Sequence, residues 1–557
     1  MIRRASLPHR RRGYVLYIVM VVVVVLTLVA YQYNDAMGSE ASAAIRSHEL
    51  EQAKANANSG IAYVAAVLTN PSFASTNLDD DTSTFSAISV GTGNTETDQN
   101  SARYQGDVNK RRGGGLFSII NLSDIKGGTD GSYPGGLRRY GLEDEGRKLN
   151  INSLIRIDPT GSLLFNALMQ LPNMTSDIAG AIVDFVDADS TEYPSGGAEE
   201  DYYTSLPNPI HCKNGPLHSL GELLQVKGVT PDLLYGSDRN RNGVQDANET
   251  ADGGFSRGWS EYLTIYGREI NVDSTGVARI NLNGTDLATL DSQLMGIDGM
   301  TREVADYILY YRISGTGEAL TPTLGQGMVA ATTSDLRSLV QSAVDNGATP
   351  RRKLTSPFTV LNTQIRLPAQ TTLSLSFGPG GGSATQQSTT PVVACPLNDS
   401  TTLQAVAKAL VDRCTASDDY ELDPRINVNT APREVLNCLK GLNPDTSTQL
   451  TDSDIDAILS NRPTAGTDQT SAWLVTSAGL TPAKYKNIEK YVTGRSGAYR
   501  VRSVGYFGNP GGPQASVEAI IEVVFEDPDG TGAVAKPRIF GWNDTTDMGR
   551  VFDDLPR

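Results

Sequence analysis

From Tyr14 to Tyr31 the chain carries no charged side chain, and the next one along is Asp35. About 20 apolar residues cross the hydrocarbon core of a bilayer, so this run is just long enough to span one. Arg3, Arg4, Arg10, Arg11 and Arg12 precede it with no acid among them, and an acidic body follows. The positive-inside rule therefore predicts one span with the N-terminus inside and the body outside. A cleaved signal peptide fits less well, because no Ala-x-Ala site closes the apolar run. Beyond the span, Leu50, Ala53, Ala57, Ile61, Val64 and Leu68 recur at three and four, the spacing of one helical face, until Asn70-Pro71 stops them. One helix of ~84 Å from Tyr14 to about Thr69 is expected, half in lipid and half outside it.

Composition narrows the remaining choices. The 557 residues hold 47 Lys+Arg against 63 Asp+Glu, a net charge of −16, which becomes −21 without the five leading arginines. Such a body lacks the basic face that phosphate contacts require. With 39% hydrophobic and 20% charged residues, the chain is neither wholly disordered nor a multi-span membrane protein. Its length allows two to four domains with substantial cores.

Downstream, residues 70–115 are rich in Ser, Thr, Asn, Asp and Gly and read as loop. Strand-like runs occur at Leu116–Leu122 and Leu137–Leu142, and then only at Tyr499–Tyr506, Val517–Phe525 and Arg538–Trp542. The sequence between these groups reads mainly helical. The expected fold is α+β: a long N-terminal helix and an antiparallel αβ domain built from 70–149 and 495–557. An α-rich block, 150–494, is inserted between its strands. Within that block 371–391, with Phe377-Gly-Pro-Gly-Gly-Gly-Ser and many Thr and Gln, is expected as a flexible loop.

The block contains a threefold repeat, opening at Asn150-Ile-Asn152, Asn281-Leu-Asn283 and Asn427-Val-Asn429. Each copy continues into two helix patterns joined by a tight turn. The copies resemble helix-hairpin-helix units, whose Gly-hydrophobic-Gly turn holds a phosphate when the unit binds DNA. Here the turns read Pro172-Asn-Met, Gly296-Ile-Asp298 and Gly441-Leu-Asn443, each without the second Gly, and Asp298 would repel phosphate. A scaffold is favoured over a membrane-anchored DNA receptor.

Two acidic constellations carry ligand chemistry. Asp238-Arg-Asn240-Arg-Asn242-Gly243-Val244-Gln-Asp246-Ala-Asn-Glu249, inside the expected loop 236–252, fits the twelve-residue EF-hand pattern at every ligand position. Asp238, Asn240, Asn242, Asp246 and Glu249 would offer side-chain oxygens and Val244 its carbonyl, with Gly243 at the sharp turn. Hard oxygen donors without Cys or His select Ca2+. A second candidate site comprises Asp184, Asp187, Asp189, Glu199 and Asp201, with Glu192 and Glu200 nearby. Catalytic readings are weak. Gly254-Phe-Ser256-Arg-Gly258 matches a nucleophile elbow, but no apolar strand precedes it. The chain has four His and no Walker A loop, no His-Glu-x-x-His and no Cys-x-x-Cys, so no catalytic residue is assigned. Cys212, Cys395, Cys414 and Cys438 allow three disulfide pairings, of which Cys395–Cys414 closes the shortest loop that includes the flexible end. Cys438, in an apolar helix pattern, reads as a buried free thiol.

An Arg-rich leader, Gly13, the aromatic Tyr14, a membrane-length apolar run and a continuing amphipathic helix together resemble the type IV pilins and pseudopilins. That resemblance implies cleavage by a prepilin peptidase between Gly13 and Tyr14. Most members carry Glu at the fifth mature position; here that position is Ile18, which suits a subunit with no neighbour above it, because an unpaired carboxylate in lipid is costly. Arg147-Lys-Leu-Asn-Ile-Asn-Ser-Leu154, Asp184-Phe-Val-Asp187-Ala-Asp189, Gly197-Ala-Glu199, Asp201-Tyr-Tyr203 and Asn427-Val-Asn-Thr-Ala-Pro432 extend the likeness to the large minor pseudopilins of type II secretion. For this chain it implies a non-enzymatic, single-pass inner-membrane subunit with a periplasmic body, placed at the pseudopilus tip after assembly. Its implied partners are other minor pseudopilins, the major pseudopilin, the prepilin peptidase and the inner-membrane secretion platform, with structural Ca2+ in the inserted block. A minor pilin of a type IV pilus-like filament is the alternative that shares the same N-terminus.

Overall fold

The computed structural model describes residues 13–69, 78, 80–90, 115–122, 139–238, 258–314, 318–319, 328–378, 381–443, 445–464, 467–507, 512–526 and 534–548. One helix runs from Gly13 to Leu68 over 56 residues. Its first half is exposed throughout, as an apolar span without its membrane must be, and it is long and apolar enough to cross a bilayer. Its second half buries Ala53, Ala57, Ile61, Val64 and Leu68, the face read from the spacing.

That face lies on an antiparallel sheet. The central strand Ala498–Phe507 pairs with Gly115–Asn121 on one side and with Ala515–Glu526 on the other, and Val534–Asp544 closes the far edge. Strands from both ends of the sequence thus share one sheet. Helix and sheet approach unusually closely. A Cβ on Gly505 would sit 2.0 Å from the carbonyl oxygen of Ala53, and one on Gly60 2.0 Å from the Ser503 hydroxyl. Glycine at both positions is what lets Ala57, Ile61 and Val64 pack against Val501, Ala519 and Ile521. Among the described residues of the run 137–142 there is the two-residue strand Arg139–Tyr140, while Glu143–Asp144 pairs with Tyr499 and Arg500. Among the described residues of 70–115 there is a one-turn helix, Thr82–Phe85, capped by Asp81.

The inserted block has its own continuous apolar core, and its three Asn-x-Asn copies share one construction. Each opens on a two-residue strand paired in parallel with a later one: Leu149–Asn150 with Leu263–Thr264, Ile280–Asn281 with Cys414–Thr415, and Ile426–Asn427 with Val492–Thr493. The second Asn then clamps a distant backbone. Asn152 exchanges two hydrogen bonds of 2.9 Å with the backbone of Leu217. Asn283 accepts from the Leu354 N–H at 2.8 Å and donates to the carbonyls of Leu354 and Ala416. Asn429 donates to the carbonyls of Asp468 and Gly494 and accepts from the Trp473 indole at 2.7 Å. A side chain with both donor and acceptor is needed for each clamp. Two helices joined by a turn follow: Ser162–Leu168 and Ser176–Val186, Leu287–Met295 and Arg302–Ser314, Arg433–Gly441 and Asp452–Ser460. These are helix pairs on a structural clamp; a helix-hairpin-helix identity is not established by them. In the second and third copies Arg312 and Arg462 hold the carbonyls of the Asn-x-Asn turn. Val186 occupies the corresponding place in the first copy, directly before the acidic cluster.

Two expectations are corrected. The segment 371–391 is not a loop: Gln370–Gly378 and Gly381–Ala394 form an antiparallel hairpin in register from Gln370↔Thr389 to Gly378↔Gly381. Its Thr- and Ser-rich arms alternate with Leu and Phe, a strand pattern outweighed in the reading by the glycines, which mark only the turn. The Cys395–Cys414 disulfide is not formed; all four cysteines are free thiols. Cys395 caps a 3-10 turn just after the strand that ends at Ala394, whereas Cys414 sits in the parallel pair with Ile280, so different elements of the one core hold the two thiols. Cys438 is fully buried, as expected.

Candidate functional site: an acidic oxygen cage

The helix Ser176–Val186 starts on Thr175, whose hydroxyl accepts from the Ile178 N–H, and nearly all of it is buried. Asp184 lies on its last turn with no exposed surface. Its two carboxylate oxygens accept the backbone N–H groups of Tyr193 at 2.9 Å and Ala198 at 2.6 Å. These bonds fold the loop 188–198 back over the helix. Gly197 makes the return possible, since a Cβ there would lie 1.9 Å from an Asp184 oxygen.

The fold-back sets Glu199 beside Asp187 and Asp189, and one carboxylate oxygen from each lies within 4.8 Å of the others. Asp187 and Glu199 are buried, while Asp189 opens to solvent. One oxygen of Asp187 and both oxygens of Glu199 are buried without a hydrogen-bond partner, as is the Oδ1 of Asn214. The Asn214 amide donates to the Asp189 carbonyl at 2.7 Å, and its backbone stands at φ +43°. Orphaned charged acceptors are costly to bury, each by about 1–3 kcal/mol or more. Burial first, then the neighbouring charges of Asp189, Asp184 and Glu199, push the Asp187 carboxyl up to about 7. Burial likewise raises Glu199, with Asp184 adding to it. A cage of hard oxygens short of donors and rich in negative charge suits a divalent cation such as Ca2+.

The sequence-derived residues therefore separate. Asp187, Asp189 and Glu199 converge. Asp184 is spent on backbone N–H groups and positions the loop, and Asp201 is exposed on the short helix Glu200–Thr204 outside the convergent group. Glu200 accepts from the Cys212 N–H and pairs with His211. Asn214 was missed, because it stands 25 residues from Asp189 and a lone Asn carries no motif. Of the EF-hand-like loop, Asp238 is buried, and Asn240, Asn242, Val244, Asp246 and Glu249 lie outside the described residues, as does Ser256. At the N-terminus Gly13 and Tyr14 open the long helix, and Ile18 is exposed on its apolar span. His211 and His218 are exposed, and the His211 imidazole pairs with the Glu200 carboxylate at 2.6 Å.

One comparison with known proteins falls on this region. Residues 147–235, which include the whole cage, match the family model for type II secretion system (T2SS) protein K. A curated relative, "Putative type II secretion system protein K" of Escherichia coli (strain K12), is 34% identical over 107 residues, 17% of this chain. The chain spans about a third, 32%, of that relative's length. A solved structure, the GspK-GspI-GspJ complex of the enterotoxigenic Escherichia coli type 2 secretion system, aligns over 93% of this chain and 98% of that one. It does so at 10% identity and a TM-score of 0.33, a loose likeness. The resemblance to type II secretion protein K thus rests on the matched residues.

Proposed function

We propose that this chain is a minor pseudopilin of type II secretion, a non-enzymatic subunit anchored in the inner membrane by its N-terminal helix with its body in the periplasm. The observation that carries the reading is the joining of two features in one chain: a membrane-length helix that continues onto an antiparallel sheet, and an inserted block matching protein K at 147–235. The helix anchors and packs within a filament. The block, with an apolar core of its own, would be too bulky for the middle of a stack and belongs at an end. Capping the tip with other minor pseudopilins and starting polymerisation follow from that position. Ile18 fits it, because a terminal subunit needs no buried carboxylate to meet a neighbour above.

Ca2+ is the proposed structural ligand. Asp187, Asp189 and Glu199 would hold it with the Asn214 carbonyl, and the EF-hand-like loop would hold a second ion. Bound there, the ion would neutralise the cage and fix the loop 188–198 on its helix. Mass spectrometry of the mature chain, with co-purification of candidate pseudopilins, tests the proposal. A start at Tyr14 and recovery of pilin-like partners are expected; a start near residue 32, or a chain recovered alone, would count against it. Submicromolar, salt-sensitive DNA binding would instead favour a membrane-anchored receptor.

A further inference from the structure

Between the helix Glu200–Thr204 and the 3-10 turn Leu220–Gln225 the chain forms no helix or strand. Individual hydrogen bonds hold this strap against the cage instead. Ile210 donates its N–H to the Tyr203 carbonyl at 3.2 Å, and the His211 ring and the Cys212 N–H meet the two Glu200 oxygens at 2.6 and 2.8 Å. At the far end Asn152 fixes Leu217 in both directions, at 2.9 Å each. Between these anchorages Lys213 pairs with Glu222, and the Asn214 amide donates to the Asp189 carbonyl at 2.7 Å. The Asn214 Oδ1 is buried without a partner, as are both oxygens of Glu199, a residue only 5% exposed, and one oxygen of Asp187. The Asn214 backbone stands at φ +43°, so contacts rather than backbone preference keep the strap in this shape. The half-buried Cys212 thiol belongs to the strap and faces the Asp184 carbonyl at 3.6 Å, whereas the other three cysteines are buried.

We infer that Asn214 is the clasp of a cation-controlled strap. With Ca2+ shared between its Oδ1 and the carboxylates of Asp187, Asp189 and Glu199, residues 210–217 lie closed over the helix end. Without the ion they open and uncover the Cys212 thiol. This inference rests on the cage reading and names what occupancy of the cage controls. The metal-free carboxylates repel one another, and Asp189, the exposed member, is the one free to move outward. That movement relieves the charge and carries away the carbonyl that holds the Asn214 amide. The bonds to Glu200 cannot compensate. They lie at the surface, where water competes for them, and Glu200 follows Glu199 directly in the chain. A neutral hydrogen bond contributes no more than the ordering of one or two residues costs, so a strap without a backbone ladder opens more readily than the helix beneath it.

The test uses the full-length chain in detergent, with iodoacetamide as the probe and peptide mass spectrometry to locate the alkylated cysteine. Hydrogen exchange of residues 188–198 and 210–217 is read in the same samples. Openings that require release of the ion are suppressed in proportion to its excess over the dissociation constant. For a site of ~0.1 mM affinity or tighter, 1 mM Ca2+ should therefore slow alkylation of Cys212 by about tenfold or more relative to EDTA. Asn214→Gly keeps the left-handed backbone and removes only the amide. It should retain Ca2+ protection at 188–198 while the alkylation rates with Ca2+ and with EDTA come within about twofold of each other. Asn214→Asp returns an oxygen ligand and should restore the tenfold difference. Protection at 188–198 with unchanged alkylation of Cys212, or full protection of Cys212 in Asn214→Gly, would overturn the strap and leave the cage standing. No response to Ca2+ at either segment would overturn the cage, and the strap with it.

Discussion

Removing divalent cations tests the oxygen cage, and the structure sets both sign and size. Asp187, Asp189 and Glu199 bring three carboxylate oxygens within 4.8 Å of one another. Two unit charges at that separation repel by roughly 3 kcal/mol at an effective dielectric constant near 20. Protonation of Asp187, whose carboxyl is pushed up to about 7, already relieves part of this. Glu199→Gln should therefore stabilise the metal-free protein by ~1–2 kcal/mol. With Ca2+ the sign reverses. An ion at a thousandfold excess over its dissociation constant stabilises the native state by about 4 kcal/mol. For the inserted block of about 345 residues, at roughly 2.1 cal/mol/K of unfolding entropy per residue, that is about 5–6 °C in thermal midpoint. Calorimetry of the full chain in detergent, with EDTA and with 1 mM Ca2+, should show a shift of that order for a site of micromolar affinity. Glu249→Gln separates the EF-hand-like loop from the cage. The expected pattern is a smaller Ca2+ shift in Glu199→Gln than in the unaltered chain, joined to a higher midpoint in EDTA. A variant destabilised equally with and without Ca2+ would show that Glu199 is merely a packing residue, and a midpoint indifferent to EDTA would refute the cage.

Three further outcomes are expected. Gly505→Val drives a Cβ to 2.0 Å from the Ala53 carbonyl and 2.4 Å from the Ala57 nitrogen, both backbone atoms, so urea unfolding should show a loss of ~3 kcal/mol or more, while Gly38→Ala, with nothing within 4 Å, should be neutral or slightly stabilising. Glu269 and Glu518 hold carboxyls at about 2 although burial opposes it, the first beside Arg425 and Arg279, the second beside Arg500 and Arg502. Acids depressed from 4.5 stabilise the fold above that value and lose the contribution as pH falls toward 2, so unfolding free energy should drop steeply below pH 4.5, by up to ~3 kcal/mol for each, and Arg425→Met should shrink the drop. Maleimide labelling of the unfolded, non-reduced chain should add four groups, with Cys395, Cys414 and Cys438 protected before unfolding; two groups would instead mark a disulfide.

What could be read from the sequence followed from periodicity. The buried stripe from Ala53 to Leu68 and the strands around Val501, Val517 and Arg538 were legible because each has a simple period, 3.6 or 2. The Asn-x-Asn repeats were visible as text, but their purpose was not: Asn152, Asn283 and Asn429 clamp backbones between 39 and 133 residues away, and sequence carries no record of such partners. The same holds for the cage. Asp187, Asp189 and Glu199 could be named from acid density, yet only the fold-back on Asp184 shows which oxygens are free, and it removes Asp184 from the ligands. The hairpin at 370–394 was hidden by composition, because Ser, Thr, Gln and Gly suit a loop as readily as a strand.

The proposal that this chain serves type II secretion is tested most directly by deleting its gene in the source organism and measuring export. Substrates of the system should accumulate in the periplasm, with their release restored by the unaltered gene. Undiminished release of those substrates, with the pathway otherwise intact, would contradict the proposed function.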